Sequence, residues 1–160
     1  MYSQPTQWYL DSGATTHVTT NNNNISQGNQ WKPNQVMVGN GQCIQVQGTG
    51  NSVIPISPYN LKLNNIVHAP EISHNLLYIH KLSSDNKCRI IFDSQGYVIQ
   101  DLHTNRTLHR GICHQGLYLL NPSTNDSNGS KVLLSTSSNV ELWHRRLGHP
   151  NQDMMRHLKS

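Results

Sequence analysis

The chain has 160 residues, of which 34% are hydrophobic, 6% aromatic and 12% charged, and this polar composition predicts one domain with a thin core, or a small domain and a tail. Its net charge of +4 is too mild to indicate nucleic-acid binding on electrostatics alone, and no apolar run is long enough to span a bilayer. The N-terminus lacks the basic and apolar regions of a signal peptide, and three widely spaced cysteines favour reduced thiols in an intracellular chain.

The first half of the chain is predicted to form short strands separated by turns. Residues 8–10 form an apolar run that enters a tight turn at residues 11–13. Residues 36–38 and 43–46 flank Gly39-Asn40-Gly41, which predicts a hairpin because Asn-Gly tolerates positive φ at both turn positions. Three further strands are expected, at residues 52–56 (stopped by Pro55 and Pro58), 61–63 and 66–68.

The second half continues this rhythm. Residues 75–82 fit either a strand or a short helix, and we expect a short helix near residues 76–82. Residues 89–92 and 97–99 predict a second hairpin, and residues 117–120 predict a last strand. Strands of this length with frequent turns indicate an all-β fold, an antiparallel barrel or sandwich with one short helix.

The composition changes after residue 120. Residues 121–139 are rich in Ser, Asn and Thr and predict a flexible linker. From residue 140 apolar residues return at a spacing that suits short helical turns, broken at Gly148 and Pro150. We therefore expect a flexible linker and a short helical tail after the β fold.

Asp11 closes the first apolar run and is followed by Ser12, Gly13 and Ala14. Peptide hydrolysis without a metal or a covalent intermediate requires one carboxylate that polarises water and a second carboxyl group that donates a proton. Two carboxylates about 3 Å apart cannot both ionise, so such a pair shares a proton and supplies acid and base together. Gly13 suits the close approach of two such loops, and the Ser12 hydroxyl suits bracing them.

The alternative for this tetrapeptide is an ordinary surface turn, because Asp-Ser-Gly is common in turns. Two features of its context favour the catalytic interpretation. Asp11 follows a hydrophobic strand, and the Gly39-Asn40-Gly41 hairpin lies further along the chain, where a flap over a substrate cleft would be needed.

Five segments, in chain order, carry a family resemblance: residues 8–18 (WYLDSGATTHV), 38–42, 75–77 followed by 81–82, 116–119 and 142–150 (LWHRRLGHP). They resemble the protease start, the flap, a later hydrophobic segment, the stretch before the integrase and the pre-integrase zinc segment of copia-type retrotransposon Gag-Pol polyproteins. The resemblance implies four parts: a retropepsin-like protease core at residues 1–82, a β-meander extension at 83–120, the linker at 121–139 and the start of a pre-integrase zinc-binding domain at 140–160.

The resemblance implies an aspartic endopeptidase whose substrate is its own Gag-Pol polyprotein. The family carries one catalytic Asp per chain, so the enzyme would be a homodimer in which the two copies of Asp11 meet at a two-fold axis. Ser12, Gly13 and Ala14 would form the active-site loop. The flap would comprise Gly39, Asn40, Gly41 and Gln42. The protease would need no cofactor and no membrane, and its location would be a cytoplasmic virus-like particle.

Two features depart from the family pattern. Leu76 and Leu77 are followed by Tyr78, where retropepsins place a glycine beneath the active site, and residues 89–120 exceed a minimal retropepsin core. Residues 93–96 and 126–129 do not supply a second motif, because each has an extra residue before the glycine. His17 belongs to the motif, and we expect it to bear on local structure rather than on catalysis.

His144 and His149 have the spacing of the paired-histidine half of a His-His-Cys-Cys zinc site. A structural zinc site needs four ligands, so residues 1–160 alone favour two unpaired, solvated histidines. In the full-length polyprotein the resemblance implies zinc, bound by these histidines and by cysteines beyond residue 160.

Two other functions stay open. A catalytically silent β-barrel interaction module, derived from such a polyprotein, is favoured by Tyr78. A nucleic-acid-binding integrase N-terminal fragment would bind through the C-terminal segment, where the basic residues Arg145, Arg146, Arg156 and Lys159 lie. Such a cluster is more often a solvated face than a phosphate site. In the polyprotein the resemblance also implies contact with nucleic acid through the downstream integrase region.

Overall fold

The computed structural model describes residues 7–29, 33–39 and 41–122. Within them the chain forms twelve β-strands, one α-helix and one turn of 3₁₀ helix at Asn22–Asn24. The bounds are β1 (Trp8–Asp11), β2 (His17–Thr19), β3 (Gln27–Gly28), β4 (Gln35–Met37), β5 (Cys43–Gln45), β6 (Gly48–Ile56), β7 (Tyr59–His68), β8 (Asn75–Tyr78), α1 (Ile79–Asn86), β9 (Cys88–Phe92), β10 (Gly96–Asp101), β11 (Thr107–His114) and β12 (Leu117–Leu120).

Ten of these strands form one sheet in the order β3-β6-β7-β2-β8-β1-β12-β11-β10-β9, and β4 and β5 form a separate hairpin. Most neighbours are antiparallel, whereas β1 runs parallel to β8 and β2 runs parallel to β7. The all-β class with one short helix is therefore confirmed. Within the described ranges the strand order has two ends, β3 and β9, and hydrogen bonds close no ring of strands.

Two strand predictions for the first half need correction. Strand β6 ends at Ile56 as predicted, but it begins at Gly48, four residues before the predicted start at residue 52. Pro55 lies beyond the part of β6 that pairs with β3, so its missing N–H is tolerated there. The two strands expected at residues 61–63 and 66–68 are one strand, β7, in which Asn65 adopts a φ of 55° near a register shift with β6.

The segment at residues 75–82 is neither all strand nor all helix. Residues 75–78 form β8 because they pair in parallel with β1, and α1 begins only at Ile79 and continues to Asn86. The helix expected near residues 76–82 is therefore placed too early. The helix ends at Lys87, which adopts the left-handed conformation.

Strands β9 to β12 form an antiparallel meander, which includes the predicted hairpin and the predicted last strand. Strand β11, between the predicted hairpin and the predicted last strand, has no counterpart among the predicted strands. Strand β12 pairs with β1, so the meander and the N-terminal strands share one sheet. The four-part division of the chain stays a prediction, and the expected helical tail and all but the first two residues of the expected linker lie outside the described residues.

The core has two parts. The larger cluster contains buried apolar side chains from β1, β6, β7, β8, α1, β9, β10 and β12, including Trp8, Leu63, Leu77, Leu82 and Ile99. The smaller one contains Val18, Ile44, Val67 and Ala69. Among the described residues, no helix has both the length and the apolar character to cross a membrane.

Candidate active site

Asp11 is the last residue of β1 and lies at the edge of a sharp turn. Its register partner on β8 is Tyr78, whereas the pairing with β12 involves only Trp8 and Tyr9. The Gly13 backbone N–H donates a hydrogen bond of 2.8 Å to Asp11 Oδ1, which fixes the carboxylate over the turn. Ser12 and Gly13 are exposed and Ala14 is half-buried, so the predicted loop is a surface loop held at one end.

The far end of this loop is held by a second contact. The Thr16 hydroxyl donates a hydrogen bond of 3.1 Å to the carbonyl of Asn65, the left-handed residue of β7. The backbone N–H of Asn65 in turn donates to Asn51 Oδ1 at 2.9 Å. The loop between β1 and β2 is thus attached to β7 as well as to its own turn.

The predicted flap is a hairpin formed by β4 and β5. Val38 N–H donates to Gln42 O at 2.9 Å, and Gly41 N–H donates to Val38 O at 2.8 Å. Gly41 has a φ of +84°, a conformation that glycine adopts without the penalty paid by other residues. Gly39 and Gln42 are exposed, and Asn40 lies outside the described residues.

The hairpin is anchored on one side and exposed on the other. Ile44 is buried against Val18 of β2 and Val67 of β7 in the smaller core cluster. Met37, the last residue of β4, is 74% exposed. The base of the flap is therefore fixed to the sheet while apolar surface stays accessible at its tip.

A groove of about 770 Å³ separates the flap from the loop after Asp11. Gly13, Thr15 and Thr16 line one wall. The other wall is lined by residues of the β4–β5 hairpin and the segment before it, and Asn65 and Lys81 complete the lining. The residues of this wall are Pro33, Gln35, Val36, Met37, Val38, Gly39 and Gly41. Of the predicted site residues, Gly13 of the loop and Gly39 and Gly41 of the flap line this groove, although they are distant in sequence, and Asp11 is not among the lining residues.

Tyr78, at the end of β8, belongs to neither core cluster. Its side chain is half-buried and its ring lies 5.7 Å from the ring of His80, at an angle of 32°. The neighbouring Leu77 supplies the fully buried side chain of β8. The tyrosine that departs from the family pattern is therefore accommodated without entering the core.

His17 is buried directly behind the loop. Its Nδ1 accepts a hydrogen bond of 3.1 Å from the backbone N–H of Tyr78. Burial, helped by the positive charge of Lys81 and opposed by Asp85, lowers the pKa of His17 to about 4. This agrees with the expectation that His17 bears on local structure.

Asn75 organises a buried polar cluster at the start of β8. Its Oδ1 accepts hydrogen bonds from the Thr19 hydroxyl at 2.8 Å and from the Thr20 N–H at 2.9 Å. Its Nδ2 donates to the carbonyl of Gln7, the residue before β1, at 2.9 Å. One side chain thus connects β8 to β2 and to the start of β1.

Asp93 has a structural role. Its Oδ1 accepts hydrogen bonds of 2.8 Å from the N–H groups of Gln95 and Gly96, within the turn that joins β9 to β10. The segment at residues 93–96 is therefore a hairpin turn. The similar segment at residues 126–129 lies outside the described residues.

The remaining candidates are titratable side chains that could bind metal or react. His144 and His149 lie outside the described residues, and the described part of the chain holds no group of three or more His, Cys, Asp or Glu side chains arranged for a metal. The three cysteines are free thiols. Burial raises the pKa of Cys88 to about 11, as suits an inert core thiol, whereas Cys43 is exposed.

Several residues of the site were not singled out by sequence reasoning. Thr16, Asn65 and Met37 carry no local signal of a site, and Lys81 entered only as part of a hydrophobic segment. Asn65 and Lys81 reach the groove through strand pairings between distant parts of the chain, whereas Thr16 and Met37 are sequence neighbours of the predicted loop and flap. The hydrogen bond between His17 and Tyr78, which are 61 positions apart, likewise depends on long-range strand pairing.

Comparison with known proteins defines the class of this chain. Residues 8–88 match the family described as Pol polyprotein, beta-barrel domain, and the chain belongs to this family. Residues 116–160 match the GAG-pre-integrase domain.

Two relatives from Arabidopsis thaliana are similar along most of the chain. The retrovirus-related Pol polyprotein from transposon RE2 is 30% identical over 145 residues, and that from transposon RE1 is 31% identical over 144 residues. These alignments cover 90% and 89% of this chain but 10% of each relative, so the chain spans about one tenth of their length. The resemblance to copia-type retrotransposon polyproteins is thereby confirmed.

Proposed function

We propose that this chain is the aspartic endopeptidase of a copia-type retrotransposon and that it cuts the element's Gag-Pol polyprotein. The observation that carries the proposal is the groove between the Asp11 turn and the β4–β5 hairpin. An extended peptide in this groove would lie between the loop that follows Asp11 and an exposed apolar flap residue, Met37.

The proposed chemistry uses one Asp11 from each subunit of a homodimer. One carboxylate takes a proton from water as the water attacks the scissile carbonyl, and the other carboxyl group donates its proton to the developing oxyanion. A single chain supplies only half of this pair. The Gly13 N–H bond to Asp11 Oδ1 supports the proposal, because it orients the carboxylate without neutralising it.

The wider proposals concern the polyprotein and its location. The peptidase works without a cofactor, inside a cytoplasmic virus-like particle, on peptide segments of Gag-Pol. In the full polyprotein, His144 and His149 contribute half of a zinc site within the pre-integrase match. Nucleic acid is contacted by the downstream integrase region.

Cleavage of peptides tiled along a copia-type Gag-Pol polyprotein tests the proposal, between about pH 4 and pH 7. The full chain is compared with Asp11→Asn, and Asp93→Asn serves as the matched control because Asp93 holds a turn of similar sequence. We expect cleavage that rises steeply with chain concentration, is retained by Asp93→Asn and falls at least about 10³-fold in Asp11→Asn.

Two results would contradict the proposal. Cleavage that survives Asp11→Asn would assign the activity to another site or to a contaminant. No cleavage by a chain that is dimeric and folded would favour the silent interaction module.

A further inference from the structure

His17 is connected to the Asp11 site by one hydrogen bond, to the backbone of Tyr78. It begins β2, which lies between β7 and β8, and β8 separates it from β1. Its side chain has no solvent exposure. Its Nδ1 accepts the Tyr78 N–H, and among the described residues its Nε2 has no hydrogen-bond partner.

Tyr78 links the hydrogen bond with His17 to the Asp11 site. It is the last residue of β8, the register partner of Asp11, and the residue from which α1 begins. It caps α1 without a side-chain hydrogen bond. The bond to His17 therefore fixes the backbone at the corner between β8 and α1, beside the candidate catalytic carboxylate.

The contact depends on the protonation state of the imidazole. Nδ1 can accept a hydrogen bond only when the ring is neutral and carries its proton on Nε2. Protonation of Nδ1 would place two N–H groups face to face and bury an unpaired charge. The imidazole therefore either holds Tyr78 or is charged, but not both.

The groups around His17 resist its protonation. Lys81 and Asp85 of α1 act on it with opposite signs and lie 3.2 Å from each other. On β7 its partner is Ile66, and His68 lies two residues along that strand, opposite Thr19. On β8 the neighbouring titratable group is Tyr78 itself. Burial and Lys81 outweigh Asp85, so the imidazole stays neutral until about pH 4.

We propose that neutral His17 is a positioning residue for the Asp11 site, and that its protonation releases Tyr78 and sets the acid limit of the site. This inference rests on the proposed function for its catalytic consequence. Its structural consequence, the release of the Tyr78 amide, is independent of any activity.

The experiment measures hydrogen exchange of the Tyr78 amide by NMR in the full chain, near neutral pH and near pH 4. The Ile99 amide, in the distant β10, is the internal reference. His17→Asn keeps an acceptor oxygen near the Nδ1 position and does not titrate, whereas His17→Leu keeps bulk and has no acceptor.

We expect His17→Leu to lower the protection of the Tyr78 amide about tenfold at neutral pH relative to Ile99. We expect His17→Asn to retain protection down to about pH 4, where the wild-type chain loses it. If His17→Leu does not fold, the comparison of His17→Asn with the wild-type chain decides. Equal Tyr78 protection in the wild-type chain and the folded variants at both pH values overturns the proposal.

Cleavage kinetics test the catalytic consequence of the proposal. We expect His17→Leu to lower kcat with KM unchanged, and His17→Asn to restore kcat and to move the acid limb of the pH profile to lower pH. Wild-type values of kcat and of the acid limb in both variants would overturn the positioning role. If the wild-type chain cleaves nothing, the proposed function fails, while the exchange measurement still decides whether His17 holds Tyr78.

Discussion

Asn75 has a buried carboxamide side chain that connects β8 by hydrogen bonds to the strands on both sides of it, β1 and β2. Three of its hydrogen bonds are between 2.8 and 2.9 Å, to Thr19, Thr20 and Gln7. Buried polar groups are costly when they lose their partners, because water cannot replace the lost bond. These hydrogen bonds therefore fix the start of β1 relative to β8 and β2, and with it the position of Asp11 at the end of β1.

We expect Asn75→Leu to lower the free energy of unfolding by about 2–4 kcal/mol, because it strands the Thr20 N–H and the Gln7 carbonyl. Urea unfolding of the full chain measures the change. Asn60→Ala, at an exposed position of β7, is the control and should change stability by less than about 0.5 kcal/mol. Equal effects of the two substitutions would show that the Asn75 cluster contributes little.

The buried imidazole of His17 makes stability depend on pH. Burial lowers its pKa to about 4 in the folded chain, from the 6.5 that is usual for an exposed histidine. The unfolded chain therefore binds more protons in this window, and the free energy of unfolding falls as the pH drops from about 6.5 to about 4. The loss from this one group amounts to about 3 kcal/mol.

His17→Asn removes this contribution, so the variant should lose about 3 kcal/mol less than the wild-type chain between pH 7 and pH 4. Urea unfolding at the two pH values measures the difference. The other titrating groups are the same in both chains and cancel. An identical loss in both would mean that His17 has the same pKa in the folded chain as in the unfolded chain.

At the scale of elements, local sequence patterns predicted the strands correctly where a strand ends in residues that strongly favour a turn. The hairpin around residues 39–41 and the hairpin at residues 89–99 were predicted because turn residues interrupt β-branched runs. The passage from β8 to α1 was not, because residues 75–78 become a strand only by pairing with β1. Strand β11 escaped prediction because its residues alternate weakly between polar and apolar.

Glycine at one position of β11 is required by packing. An added Cβ at Gly111 would overlap the ring of Tyr97, whose hydroxyl donates a hydrogen bond of 2.9 Å to the Leu119 carbonyl. At Gly48 of β6 the nearest atom to an added Cβ is Asn22 Oδ1, at an ordinary 3.8 Å. The two glycines therefore differ in the space around them.

We expect Gly111→Ala to lower the free energy of unfolding by about 2–3 kcal/mol, because Tyr97 must leave its place or the strands must separate. Gly48→Ala is the matched control, and its effect should stay within about 1 kcal/mol. Thermal unfolding followed by circular dichroism compares them. A Gly111→Ala chain as stable as the control would mean that the Tyr97 ring moves at no cost.

At the scale of the molecule, the strand order carries information that the sequence does not. The Asp11 turn and the flap were predicted separately from their own residues. Their meeting around one groove depends on the parallel pairs β1–β8 and β2–β7, which join segments more than 45 residues apart. Lys81 and Asn65 enter the site through the same long-range pairing, so no local pattern could assign them.

The ten-stranded sheet also includes strands from both of the segments that match a family. The pre-integrase match begins at residue 116, yet β12 pairs with β1 and buries Leu119 and Leu120. Strand β12 is therefore a structural part of the sheet that carries Asp11.

We expect a chain that ends after residue 115 to be less stable than one that ends after residue 122 by about 4 kcal/mol, since it loses two buried leucines and the partner of β1. Thermal unfolding of the two chains tests this expectation. The same melting temperature for both would mean that β12 does not stabilise β1.

The central claim is that one Asp11 from each of two chains forms a single catalytic site, and a subunit-mixing measurement tests it most directly. Wild-type chain is mixed with increasing amounts of Asp11→Asn chain at constant total concentration, and cleavage of a Gag-Pol junction peptide is followed. If mixed dimers with one carboxylate are inactive, activity falls as the square of the wild-type fraction, to about one quarter in an equal mixture. A linear fall, to about one half in an equal mixture, would mean that each chain acts alone and would contradict the shared site.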